Sequence, residues 1–249
     1  MIPGQPILSV QGLGKCFGAF VALKDVTVAF PAGQLTAIIG PNGAGKSTFF
    51  NLISGAFAPS SGRVSFEGRD ITGLPQHQFA RIGIAKSFQI TNVFKQLSAF
   101  ENVRVAAQMR HSRFGLYKPR SALHEPLDAA QALLQRVGLA EVAGKRAADL
   151  AHGQQRALEI AMALAAEPRL LLMDEPTAGM SPEETTVMMD LITRIAQERT
   201  VVLVEHKMKL VMGICQRLVV LHHGEMLAEG TPAEIRRNAD VKRVYLGQH

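Results

Sequence analysis

The chain of 249 residues has only two cysteines, Cys16 and Cys215, far apart and without a neighbouring Cys or His at metal-ligand spacing. That scarcity argues against a disulfide framework and against a zinc site, and it fits a reducing compartment. No apolar stretch approaches the roughly 20 residues that span a bilayer. The opening "MIPGQPILSV" has no basic segment leading into an apolar run. The expectation is a cytoplasmic chain whose membrane role would need a partner. Internal repeats and low-complexity linkers are lacking, and no platform of interleaved aromatic and basic residues suggests nucleic-acid binding.

Charge is only mildly unbalanced, with 27 Lys and Arg against 21 Asp and Glu. Most of the cations alternate with acids, which describes a solvated surface better than a polyanion-binding face. The basic run "RHSRFGLYKPR" at 110–120 stands apart. It reads as a solvated loop, or otherwise as a contact for anionic lipid or a transmembrane partner. A hydrophobic content of 47% over this length supports one domain with a full core and room for a small inserted lobe.

The first thirty residues place the short β-type runs "ILSV" and "VTVAF" among the glycines Gly12, Gly14 and Gly18, which predicts a small antiparallel sheet. "QLTAIIG" reads as a strand buried on both faces, followed by a helix over "KSTFFNLISGAF" and strands over "GRVSFEGRDI" and "RIGIAKSFQ". Residues 98–165 turn helical, with stops at Gly138 and near Pro168. The apolar runs "LLLMDE", "TVVLVEH" and "RLVVLHHG" then alternate with helical segments, as in a largely parallel sheet. Ser181-Pro-Glu-Glu184 and Thr231-Pro-Ala-Glu234 match capping boxes with proline in the first helical position.

Between a buried strand and a helix lies Gly40-Pro41-Asn42-Gly43-Ala44-Gly45-Lys46-Ser47, followed by Thr48. This is the phosphate-binding pattern G-x-x-x-x-G-K-S: glycines let backbone N–H groups converge on phosphate, Lys46 neutralises β/γ charge and Ser47 ligates Mg²⁺. Asp174, ending "LLLMD", would hold the Mg²⁺ shell, while Glu175 beside it would polarise an attacking water. His206 ends another apolar run, and strand carboxyl ends face the ligand crevice of such a sheet, so it would reach a γ-phosphate. Gln89 follows "IAKSF" as a neutral amide suited to Mg²⁺ or water. His222-His223-Gly224 reads as a hairpin turn. The stretch "LAHGQQR" has no catalytic side chain, but a helix starting at Gly153 would present free N–H groups and a positive dipole end to an anion. Because the phosphate loop already cradles its own nucleotide, the second anion site would serve a nucleotide on another copy or a partner, with ATP at the seam.

These motifs together resemble the ATP-binding cassette (ABC) ATPases over almost the whole chain. The resemblance implies an α/β fold: a P-loop NTPase (RecA-like) core with an N-terminal antiparallel β subdomain and an inserted helical subdomain. It implies one nucleotide-binding domain over 1–249, with 1–97 and 166–249 as the ATP-binding core and 98–165 as the helical subdomain. In family terms Phe17 looks like the aromatic that stacks on adenine, Gln89 like the Q-loop residue and His206 like the switch histidine. Glu175 corresponds to the catalytic base, and "LAHGQQ", with Gly153 and Gln154, occupies the signature position. The implied ligands are ATP and Mg²⁺.

The implied partners are a second ABC ATPase subunit, identical or related, two transmembrane permease subunits and, indirectly, a periplasmic or surface solute-binding protein, but no nucleic acid. The implied place is the cytoplasmic face of the inner membrane. "SFQITNVFKQLSAFENV", "AGMSPEET", "VEHKMKLVMGIC" and "VYLG" look most like ATPase subunits of branched-chain or hydrophobic amino-acid importers, a group similar to urea and short-amide importers. The rival readings are an exporter ATPase and a non-transport ABC ATPase. Four positions depart from the family pattern: Ala151 and His152 where Ser and Gly are usual, Ser181 at the end of the D-loop, and Lys207 after the switch histidine.

Overall fold

The structure is a computed structural model that describes residues 6–87, 93–111 and 124–246. Its first sheet has four antiparallel strands in the order β2-β1-β4-β5, from β1 (Pro6–Phe17), β2 (Phe20–Pro31), β4 (Ser61–Phe66) and β5 (Arg69–Asp70). The antiparallel sheet expected from sequence is present, but Gly12 and Gly14 do not end a strand. They lie inside the twelve-residue β1, where its register against β2 shifts.

The second sheet has six strands in the order β10-β9-β3-β8-β7-β6. These are β3 (Leu35–Ile39), β6 (Ile84–Ser87), β7 (Leu170–Asp174), β8 (Thr200–Val204), β9 (Arg217–His222) and β10 (Glu225–Gly230). All pair in parallel except β10, which returns antiparallel from β9 through a tight turn at His223 and Gly224. Both turn residues have positive φ, 49° and 79°, as a two-residue hairpin requires.

The helices are α1 (Lys46–Ile53), α2 (Phe79–Ile82), α3 (Ala99–His111), α4 (His124–Arg136), α5 (His152–Leu164), α6 (Pro182–Ala196), α7 (Met208–Ile214), α8 (Pro232–Arg237) and α9 (Ala239–Leu246). The strand expected over "RIGIAKSFQ" begins later than its apolar pattern suggests, because Arg81 and Ile82 finish α2. Both capping boxes form: the Ser181 hydroxyl accepts from the Glu184 N–H at 3.2 Å, and the Thr231 hydroxyl from the Glu234 N–H at 3.4 Å.

Alternation along the parallel strands feeds two cores. Ile38, Leu170, Leu172 and Val202 face the antiparallel sheet and the Phe49 and Phe50 side of α1. Ala37, Leu171, Met173 and Leu203 face the opposite way, toward α5 and α6. Both sheet faces are therefore largely apolar, and Asp174 and Lys86 stand toward the carboxyl ends of their strands. Helices α3, α4 and α5 pack on one another and on this second core.

Candidate functional site

The loop from β3 to α1 is shaped by two close approaches. A Cβ at Gly40 would stand 2.3 Å from the Leu221 carbonyl oxygen of β9, so only glycine lets the two backbones meet. Gly45 caps α1 in the left-handed region at φ 96°, turning the chain so that the next N–H groups point into the loop. The β9–β10 turn supports it from below: Gly224 N–H donates to the Ala44 carbonyl at 3.1 Å, and Lys24 N–H donates to the Gly224 carbonyl at 2.8 Å. Asn42, Gly43 and Ser47 are exposed, Pro41 and Thr48 are half-buried, and Ala44 is buried. Lys46 is buried as well, its Nζ donating to the carbonyls of Gly40 at 2.8 Å and Pro41 at 2.9 Å. Burial lowers its pKa, opposed by the carboxylates of Glu175 and Asp174.

Those acids end β7. Asp174 is buried, and burial raises its carboxyl pKa; Lys86 and Lys46 pull it down while Glu175 pushes it up. Lys86 was not singled out from sequence. It projects from β6 with its Nζ 3.0 Å from Asn51 Oδ1 of α1 and 4.9 Å from the Phe50 ring centroid, and burial lowers its own pKa. Glu175 follows with φ 45°, a left-handed conformation that costs a non-glycine residue on the order of 1–3 kcal/mol. Its N–H is held by the Val204 carbonyl at 3.0 Å. His206 lies just beyond the end of β8 rather than within it, with Nδ1 3.8 Å from Glu175 Oε1 and equally far from Glu205 Oε2. Glu205 is fully buried and was also missed from sequence. The available cue was an acid directly following the continuous apolar run "TVVLV".

The "LAHGQQR" segment departs from expectation. Helix α5 starts at His152 with Ala151 as its N-cap, and the Gly153 N–H is not free: it donates to Glu184 Oε1 of α6 at 3.2 Å. Gln154 folds back to accept the Ala151 N–H at 3.1 Å. The helix dipole is thus already complemented by a carboxylate from the same chain. Sequence could not show this, because the acceptor lies 31 residues away.

Phe17 is partly exposed at the tip of the first sheet, edge-on to Phe57 at 5.7 Å and beneath the Lys15 ammonium at 5.1 Å. Gln89 and positions 112–120 of the basic run lie outside the described residues. A cavity of about 650 Å³ opens at the other end of the sheet, where Arg136 and Arg169 are paired with Glu198 and Glu67. It is lined by none of the residues 40–48 and by neither Asp174 nor Glu175.

Residues 23–178 match a family model described as ABC transporter. The chain belongs to the ABC transporter family. A second model, the branched-chain amino acid ATP-binding cassette transporter, matches 225–249 of this ABC ATPase. The high-affinity branched-chain amino acid transport ATP-binding protein BraF of Pseudomonas aeruginosa is 44% identical, covering 98% of this chain and 99% of its own. The corresponding LivG of Salmonella typhimurium is 42% identical with the same coverage. Among solved structures, the ADP conformation of the ATP-binding cassette MJ1267 superposes with a TM-score of 0.85 at 28% identity, over 97% of this chain and 99% of that one.

Three of the four unusual positions in this ABC ATPase have local roles. Ser181 caps α6, Lys207 gives its N–H to Glu205 Oε2 at 3.3 Å, and the His152 ring lies against Gly179, where an added Cβ would stand 3.3 Å from Cε1. Ala151 makes no side-chain cap, and nothing in the structure explains the choice of alanine.

Proposed function

We propose that the chain is the ATP-hydrolysing subunit of an importer for branched-chain or other hydrophobic amino acids. The reading is carried by one observation: buried Lys46 and Asp174 and half-buried Glu175, with His206 beside it, gather at the carboxyl end of one parallel sheet, beside a glycine loop opening a helix. The cargo rests on BraF and LivG, and on the C-terminal match, all of which favour aliphatic amino acids over urea.

The loop amides from Gly43 to Thr48 bind the β- and γ-phosphates, and Lys46 exchanges its two carbonyl partners for phosphate oxygens. Phe17 stacks on the adenine. Ser47, Asp174 and Gln89 would hold Mg²⁺, which would supply neutralisation of the phosphate charge. The fit is electrostatic: Asp174 is a buried carboxylate that two lysines only partly offset. Glu175 orients water and accepts its proton, and His206 contacts the γ-phosphate. Gly153 and Gln154 of a second, identical or related subunit close over that phosphate.

In this reading residues 98–165 form the helical lobe, and 1–97 with 166–249 form the core. No described helix is long and apolar enough to cross a membrane. On the likeness to BraF and LivG, the subunit docks on two permease subunits at the cytoplasmic face, and a binding protein delivers the cargo from outside.

The test is the solution mass of Glu175→Gln, by size exclusion with light scattering, with and without Mg²⁺ATP. Dimerisation that depends on ATP, with turnover suppressed, is expected. Near-normal turnover by the pure variant removes Glu175 from its role, and an ATP-bound monomer means that closure needs a different partner cassette.

A further inference from the structure

A carboxylate with no solvent exposure is costly unless hydrogen bonds replace water. Glu205 meets that requirement with neutral donors from two segments. Its Oε1 accepts the Thr177 hydroxyl, and its Oε2 accepts the backbone N–H groups of His206 at 3.0 Å and Lys207 at 3.3 Å. Thr177 stands two residues after Glu175, and the other donors belong to the turn that carries His206. One side chain thus joins the segment after β7 to the segment after β8 at the place where both present groups to the nucleotide.

The main chain adds to the joint. Glu175 N–H bonds to the Val204 carbonyl and Glu205 N–H to Ile38. The left-handed backbone of Glu175 needs such support, because strained conformations persist only where surrounding contacts over-determine them.

We propose that Glu205 and Thr177 form a positioning pair that holds Glu175 and His206 in fixed register, so that both address the same γ-phosphate. The inference rests on the roles given above to Glu175 and His206. Neither member of the pair touches the reacting atoms. Displacement of a reacting group by about 1 Å costs on the order of a hundredfold in rate, so loss of the clasp falls on kcat rather than on nucleotide binding.

The test uses the full-length chain with Mg²⁺ATP and compares Thr177→Val, Thr177→Ser, Glu205→Ala and Glu205→Gln. Thr177→Val strands Glu205 Oε1 and is expected to lower kcat on the order of a hundredfold with KM for ATP changed less than about twofold. Thr177→Ser restores the donor and recovers most of the rate. Glu205→Gln recovers much of what Glu205→Ala loses, because its carbonyl oxygen accepts both amides while its Nε2 donates to the Thr177 hydroxyl. If Glu205→Ala does not fold, the Thr177 pair still decides. A Thr177→Val protein with a lower melting temperature but unchanged kcat overturns the inference, leaving Glu205 as a satisfied buried acid. Glu175→Gln and His206→Ala are measured alongside. If these two keep normal kcat, it is the underlying assignment of roles that fails rather than the clasp.

Discussion

Glu184, in the first turn of α6, bonds across to the Gly153 N–H in the first turn of α5 at 3.2 Å, while its other oxygen accepts the Ser181 N–H at 3.0 Å. A carboxylate of the same chain therefore sits on the amide that the proposed dimer would turn toward a γ-phosphate. Closure must exchange one acceptor for the other. In the Glu175→Gln background, Glu184→Ala is expected to lower the ATP concentration needed for dimerisation by several-fold, read by light scattering. Unchanged or weaker dimerisation would show that the contact does not oppose closure.

The same contact has a pH dependence. Accepted N–H groups, from Ser181 first and Gly153 second, hold the Glu184 carboxyl below its ordinary range. A depressed folded-state pKa contributes stability that is present above the unfolded value of about 4.3 and lost as pH falls through the depressed value. The melting temperatures of wild type and Glu184→Gln should differ by a constant amount near neutrality and converge on acidification below the ordinary glutamate range.

Lys86 partly offsets the charge on Asp174 from the β6 side. Lys86→Met removes that offset, so the already raised Asp174 pKa rises further. The expected outcome is an acid limb of turnover displaced to higher pH. The pH profile of turnover at saturating Mg²⁺ checks it, and Lys86→Arg should restore most of the effect.

Gly40→Ala places a methyl group against the Leu221 carbonyl, backbone against backbone, with no flexible side chain to yield. Overpacking of this kind costs about 1–3 kcal/mol. A lower urea midpoint is expected together with weakened nucleotide binding, because the strand end that moves is the one that starts the phosphate loop. Gly73→Ala is the control, since there an added Cβ meets nothing within 4 Å although φ is positive.

The two thiols should differ sharply. Cys16 is exposed, whereas burial pushes the Cys215 thiol up to about 12. Thiolate is the reactive form, so at pH 8 a disulfide reagent should label one thiol quickly in the native protein and both in denaturant. Rapid labelling of two native thiols would contradict the burial of Cys215.

Much of the site was legible because its chemistry is local. A phosphate loop needs its glycines, lysine and hydroxyl within a few consecutive residues, and the acids Asp174 and Glu175 directly follow an apolar run that marks a strand end. Both capping boxes were legible for the same reason, since their partners are three residues apart. Lys86 and Glu205 were not, because each looked like an ordinary charged residue at the edge of an apolar segment. Their meaning depends on Asn51, Asp174 and Thr177, which come from other elements.

By itself, the sequence determined most of the order of strands and helices, the double-sided burial of the parallel sheet and the glycine loop between β3 and α1. Periodicity, capping and glycine conformation act over a few residues, and a pattern read along the chain contains them. Tertiary structure alone decided that Glu184 covers the Gly153 amide, that Lys86 and Lys46 flank Asp174, and that Glu205 ties the Glu175 segment to the His206 turn. Those are pairings between groups distant in sequence. The contacts of Asp174 and Glu205 form where the sheet brings the ends of β6, β7 and β8 side by side and excludes water, whereas Glu184 reaches Gly153 where the first turns of α5 and α6 meet.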